Sequence, residues 1–219
     1  MESASKLNAF YKSLYGYFGP QHWWPAKSRL EVMVGAILTQ NTSWSNVEKA
    51  IKNLKQHKLL GLSALCSLPH NKLASLIRSA GYYNLKAKRL KGFLEFLRNS
   101  YQGNLKKMRR KGIRGLRNQL LCVNGIGQET ADSILLYALD KPVFVVDAYT
   151  KRILLRHNLI EEDAGYEEVQ NLFMQNLKNE VKLFNEYHAL LVKLGKETCL
   201  KSKPKCNICP LRNYKHKVQ

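Results

Sequence analysis

The chain has 219 residues, 45% of them hydrophobic, enough to bury a substantial core as one domain or two small ones and too apolar for a disordered polypeptide. Its 36 Lys and Arg against 16 Asp and Glu give a formal charge of +20, a field that favours a polyanion and puts nucleic acid ahead of an anionic membrane. No membrane-length apolar run occurs and the opening MESASKLNAFYK lacks a signal-peptide core, so a soluble, cytoplasmic protein is expected whose five cysteines are thiols or ligands and not a disulfide framework.

Helical periodicity dominates from one end to the other. In SRLEVMVGAIL, Leu30, Met33, Val34, Ile37 and Leu38 fall on one face, and Ser28 with Glu31 spells a capping box. Ser45 and Glu48 repeat that box ahead of Val47, Ala50, Ile51 and Leu54. Asn71 to Ala80 carries Leu73, Leu76 and Ile77 and should stop at Gly81, and Lys86 to Arg98 continues the theme. A basic run follows, with Lys106, Lys107, Arg109, Arg110, Lys111, Arg114 and Arg117 unbroken by any acid. Past a glycine-bracketed turn, Ala131, Ile134, Leu135, Ala138 and Leu139 line one side of another helix. Val143 to Val146 looks extended but is too short and isolated for a sheet, and Val181 to Leu194 forms a long apolar helix expected to end at Gly195. Cys66 and Cys122 read as small buried hydrophobes. The tail is basic again, with Lys201, Lys203, Lys205, Arg212, Lys215 and Lys217. The predicted fold is all-α.

Gly125-Ile126-Gly127 lets the backbone turn sharply and approach a ligand, while the helix that follows offers unpaired N–H groups. Phosphate is the natural guest, and Gly125, Ile126, Gly127 and Thr130 are its candidate contacts. A dinucleotide site would need a preceding strand and a βαβ unit, which are missing, so a helix-hairpin-helix gripping a DNA backbone fits better; on two glycines alone, a plain turn competes. Asp147, after the apolar run, can cap a helix beginning at Ala148. Glu129 can support the first turn of its helix through the dipole.

Taken together, VNGIGQETA, the segment Lys141 to Tyr149 (KPVFVVDAY), AILTQNTSW at Ala36 to Trp44, AGYYNLKAKRL at Ala80 to Leu90 and the spacing Cys199-x6-Cys206-x2-Cys209 resemble the helix-hairpin-helix DNA glycosylases of the endonuclease III superfamily over nearly the whole chain. The resemblance implies two lobes with a DNA cleft between them: a helical barrel over 26–138, and a second lobe from 1–25 and 139–219. It makes Asp147 the catalytic carboxylate that meets the positive charge building on the sugar. Bifunctional members carry a lysine where Glu129 stands, and a carboxylate cannot form their Schiff base, so a monofunctional enzyme that uses water is implied. His22-Trp23-Trp24-Pro25, QNTSW and Glu129 are similar, more loosely, to the 3-methyladenine DNA glycosylases of that group. Trp23, Trp24 and Trp44 would then sandwich a cationic alkylated purine with Glu129 at the rim, and Gln40 and Tyr82 would be wedges filling the vacated stack. The rivals are excision of oxidised or mismatched pyrimidines and a catalytically silent DNA-binding module. The family's fourth cysteine would stand at position 215, which is lysine. Cys199, Cys206 and Cys209 could hold a [4Fe–4S] cluster, with His216 as a substitute ligand, or zinc as Cys3His, or no metal. The expected partner is double-stranded DNA containing damaged bases, met by a nucleoid-associated monomer that engages no membrane.

Overall fold

The computed structural model describes residues 2–24 and 26–217; Pro25 of the Trp23-Trp24-Pro25 stretch therefore lies outside the described residues. In chain order the helices are α1 Glu2–Phe18, α2 Arg29–Leu38, α3 Trp44–Gln56, α4 Leu62–Ser67, α5 His70–Leu76, α6 Tyr83–Tyr101, α7 Leu105–Arg109, α8 Ile113–Leu121, α9 Gln128–Ser133, α10 Ala148–Arg156, α11 Tyr166–Asn176 and α12 Val181–Glu197. A π-helical stretch, Ile134–Ala138, carries α9 onward. The described residues contain no strand, as the periodicity requires. No helix among them is long and apolar enough to cross a membrane. Packing divides the chain into Ala26–Lys141 and a second unit, Met1–Pro25 with Pro142–Gln219.

In the unit Ala26–Lys141, α2 starts where the sequence says. Ser28 sits in extended backbone and its hydroxyl accepts the Glu31 N–H at 3.2 Å. The Glu31 carboxylate does not close the box back onto Ser28; it accepts the Lys27 N–H at 3.1 Å and the Lys55 ammonium at 2.5 Å. The second predicted box does not form. Helix α3 begins at Trp44 behind Ser43, so Ser45 already lies in the first turn, its hydroxyl 3.0 Å from that of Ser43. A 3-10 turn, Arg78–Ala80, follows α5 and is stopped by Gly81 at φ +67°. Helix α6 is longer than its apolar pattern suggested, and Ala87, Leu90, Phe93, Leu94 and Leu97 on it are fully buried. Helices α8 and α9 flank the glycine turn and are locked to each other by Arg117, whose Nε and Nη2 donate to the two oxygens of the wholly buried Asp132 at 2.8 and 3.1 Å. Cys122 is the C-cap of α8 and exposed, not buried, because the chain turns outward there into the hairpin.

In the second unit, Leu7, Phe10 and Leu14 of α1 are fully buried, and Tyr187 of α12 donates its hydroxyl to Leu7 O at 2.9 Å. The extended Val143–Val146 run is core and not sheet, with the Phe144 ring stacked on Phe173 at 3.7 Å between centroids. Gly195 does not end α12, which runs two residues beyond it. Its glycine serves close approach: a Cβ there would lie 2.5 Å from the Tyr149 ring of α10.

Removing one member of a buried ion pair strands the other, at a cost on the order of 3–5 kcal/mol. Asp132→Asn is expected to lower the thermal midpoint by about 6–20 °C, taking about 2–4 °C per kcal/mol for a chain of this size. Circular dichroism melting checks it, with Lys178→Ala at the exposed Lys178–Glu180 pair expected to change little.

Candidate nucleic-acid interface and carboxylate site

The hairpin is built inward from Arg89. Gly125 has φ +83°, and a Cβ there would sit 2.4 Å from Arg89 Cγ, so both conformation and space demand glycine. Ile126, 4% exposed, anchors the turn, with its N–H donating to Val123 O at 3.0 Å. Gly127 differs: it is the extended N-cap of α9, and nothing lies within 4 Å of a Cβ built on it. No internal packing explains a glycine there.

Gln40 closes the network. Its Nε2 donates to Gly125 O at 2.8 Å and to the Thr130 hydroxyl at 3.0 Å, and its Oε1 accepts from Arg89 Nη1 at 2.5 Å. The carboxamide is thus turned into the hairpin, and the buried Thr130 hydroxyl faces it. Tyr82, the other wedge candidate, is 71% exposed in left-handed backbone at φ +46° ahead of α6. Glu129 stands exposed in the first turn of α9, where a carboxylate complements the helix dipole. In the basic run, Arg117 is taken by Asp132, and Arg109 shares Asp140 with Arg29 at 2.8 and 2.7 Å. Lys106, Lys107, Arg110, Lys111 and Arg114 remain exposed.

In the other unit, Asp147 does two things at once. It is the N-cap of α10, where Oδ1 accepts the Thr150 N–H at 2.7 Å, and its Oδ2 lies 3.6 Å from His188 Nε2 on α12. The side chain is 11% exposed. Burial pushes its carboxyl up, but the neighbouring His188 and the Thr150 N–H outweigh it, so the group is held below the ordinary aspartate value. Trp23 and Trp24 are half-buried and meet edge to face at 5.5 Å, with the Lys196 ammonium 5.9 Å from the Trp23 ring. Trp44 is half-buried at the start of α3.

Cys199, Cys206, Cys209 and His216 line one small cavity together with Arg156. A four-thiolate cluster is one ligand short there, since position 215 is lysine, and Arg156 Nη1 lies 3.2 Å from Cys199 Sγ. Burial pushes the Cys209 thiol up, aided by the two neighbouring sulfurs, and His216 Nδ1 is 2.8 Å from Tyr214 O. Among the described residues no three His, Cys, Asp or Glu side chains are disposed to hold a metal ion. The residues present do not fit the family's cluster. What ties the loop is arginine: Arg156 donates to Leu200 O at 2.7 Å and Lys201 O at 3.0 Å, and Arg152 to Cys199 O at 2.9 Å and Gly195 O at 2.8 Å. Arg89, Arg152, Arg156 and His188 carry no local sequence signal, because each acts on a partner distant in the chain.

The family model described as HhH-GPD superfamily base excision DNA repair protein matches residues 34–179. A protein of Methanocaldococcus jannaschii that carries the name of a DNA repair glycosylase is 52% identical over 206 residues, 93% of each chain. Endonuclease III of Sulfolobus acidocaldarius is 29% identical over 83% of this chain and 79% of its own. Among solved structures, the H. pylori 3-methyladenine DNA glycosylase bound to 1,N6-ethenoadenine is 31% identical with a TM-score of 0.76, over 89% of this chain and 97% of that one. A non-covalent endonuclease III–DNA complex shares the fold at TM-score 0.82 and 21% identity, over 96% and 94%.

If arginine and not metal fixes the C-terminal loop, Arg156→Met should lower the thermal midpoint by about 4–12 °C, since the loop carbonyls lose a charged donor worth roughly 2–3 kcal/mol. Incubation with EDTA under reducing conditions should leave the wild-type midpoint unchanged. A chelator-induced drop of that size, with iron or zinc in the filtrate, would assign the loop to a metal.

Proposed function

The chain belongs to the HhH-GPD superfamily of base excision DNA repair proteins, and from that premise we propose that it is a monofunctional DNA glycosylase hydrolysing the N-glycosidic bond of alkylated purines, 3-methyladenine foremost, in duplex DNA. The observation that carries the reading is Asp147, a nearly buried carboxylate held ionised by the N-terminus of α10 and by His188. As the bond from C1′ to N9 breaks, its electron pair leaves with the base and positive charge grows on the sugar, where a fixed carboxylate stabilises it. A cationic 3-methyladenine departs as a neutral base, so little acid catalysis is needed. Water adds to C1′ and gives up its proton, leaving an abasic site.

Glu129 supports the monofunctional part, because no amine stands at that place in the hairpin to capture the sugar. The likeness to the H. pylori enzyme supports the alkylated purine, and the electron-rich Trp23–Trp24 pair is a suitable platform for a cationic ring. The exposed basic residues of α7 and α8 and the open Gly127 supply the duplex grip, and Tyr82 takes the wedge role, since Gln40 is engaged in the hairpin. Pyrimidine lesions are the competing substrate class for the same carboxylate.

A release assay on duplexes carrying 3-methyladenine, 1,N6-ethenoadenine, an oxidised pyrimidine, or uracil or thymine opposite guanine tests this directly. The alkylated purine should be released, strands should break only after alkali, and borohydride should trap no covalent adduct. Release of pyrimidines alone would overturn the substrate class, and efficient trapping the monofunctional assignment. Asp147→Asn should keep DNA binding and lose roughly 10²-fold or more in single-turnover excision; near-normal excision would remove Asp147 from the chemistry. Because its folded pKa is depressed, the carboxylate stays charged through the neutral range and protonates only below the ordinary aspartate value of about 3.9. Any acid limb seen above that must come from another group.

Gly127→Val should weaken binding to damaged and undamaged duplexes alike, by about tenfold for one lost backbone–phosphate contact, without moving the thermal midpoint. Gly125→Val should lower the midpoint. Filter binding and melting of the two variants separate ligand approach from internal packing.

A further inference from the structure

Lys86 is among the largest fully buried side chains of the molecule, 1% exposed, and it is a charge. Its ammonium donates to Leu38 O at 2.9 Å and to Ala80 O at 2.6 Å, the last carbonyls of α2 and of the 3-10 turn before Gly81. Its own backbone N–H donates to Tyr82 O at 2.9 Å. One residue therefore grips the chain on both sides of the Gly81-Tyr82 step and ties it to the end of the helix that leads to Gln40. Orphan carbonyls at helix ends, carrying the negative pole of the dipole, are a suitable acceptor for a buried cation. Burial, and secondarily the charge of Arg89, pulls the ammonium down to about 8, which leaves it charged at neutral pH.

The step it grips is strained. Tyr82 is a bulky residue at φ +46°, a conformation that costs on the order of 1 kcal/mol or more outside glycine and persists only where the surroundings fix it. Tyr82 is 71% exposed, and Leu85, three residues further on, is 46% exposed. Arg89, a further turn along the same helix, holds Gln40 and presses on Gly125. The first turns of α6 thus join the Tyr82 tip, the Gln40 loop and the hairpin.

We propose that Lys86 is a positioning residue for base eversion, holding Tyr82 in its strained, outward conformation so that it enters the duplex as a preformed wedge. The inference rests on the reading of the chain as a glycosylase with Tyr82 as its wedge. Ordering a wedge in advance removes that cost from the DNA-bound step.

The probe is a duplex with a tetrahydrofuran abasic analogue opposite 2-aminopurine, whose fluorescence rises when the estranged base is unstacked whatever lesion the enzyme prefers. Tyr82→Ala should abolish the rise. Lys86→Met, which keeps the apolar stem and loses both carbonyl contacts, should reduce it about tenfold at saturating protein, as expected for hydrogen bonds to a charged group, while affinity for undamaged duplex changes less than about twofold through the intact hairpin. Because Lys86 acts through Tyr82, the double variant should bind the abasic-analogue duplex no more weakly than Tyr82→Ala alone. Lys86→Gln, which retains a donor, should recover part of the Met loss, and it replaces Met in the comparison should that variant not fold. A normal rise in Lys86→Met or Lys86→Gln with only a lowered melting point, or a double variant showing additive loss in binding, overturns the positioning role. A normal rise in Tyr82→Ala overturns the wedge reading itself, and separates that failure from one of Lys86.

Discussion

The ion pair between Arg117 and the wholly buried Asp132 fixes α8 against α9, and the hairpin between those helices inherits its geometry from that pairing. With the helices held, the turn can place Gly125 against Arg89 so closely that any side chain is excluded, and Gln40 can span from Arg89 to Gly125 and Thr130. Matching the polar atoms turned inward keeps such a network from costing more than an apolar one; Gln40 satisfies the hairpin and Arg89 Nη1, although Arg89 Nε is buried without a hydrogen-bond partner. The basic run is sorted by the same logic. Arg109 and Arg117 serve the fold through ion pairs, whereas the five cations beside them stand exposed, Lys107 donating only to Gln102 Oε1 at 3.3 Å.

Asp147 combines a structural task with, in the proposed function, a chemical one in the same carboxylate. Burying a charge is unfavourable, yet capping α10 supplies a backbone donor at 2.7 Å and the positive end of the helix, and His188 adds a second polar neighbour. The desolvation is offset without neutralising the group. Phe144, stacked on Phe173, fixes the extended run that delivers the carboxylate to that place, which is why the run is apolar throughout although it pairs with no strand.

Local signals were legible and distant partners were not. Ser28 capped α2 as expected because a cap depends on the next three residues only. Ser45 and Glu48 carry the same letters and failed, since Ser43 stands two residues earlier and starts the helix first. Gly195 looked like a stop, but its reason is Tyr149, forty-six positions away. Cys122 sits in an apolar context yet at a helix end, where the chain leaves the core. Nothing within α6 reveals that the acceptors of Lys86 and Arg89 lie at the end of α2, on the 3-10 turn and at Gln40. The carboxylate and hairpin came from resemblance to a family, and the structure adds what surrounds them.

Helices α10 and α12 give the C-terminal loop its bearing on the chemistry. At one end of this pair Asp147 faces His188; further along, Arg152 reaches Gly195 O and Cys199 O, and Arg156 reaches Leu200 O and Lys201 O. Tyr149 packs into the notch left by Gly195 between these two sets of contacts. The helix whose N-terminus holds the carboxylate is the same helix whose C-terminal half is clamped by the cysteine loop, so under the proposed function the loop helps to place Asp147. Electrostatic stabilisation of a developing cation is lost steeply with misplacement. In a loop that lacks the fourth thiolate, two guanidinium groups anchored on α10 itself hold the carbonyls of Gly195, Cys199, Leu200 and Lys201.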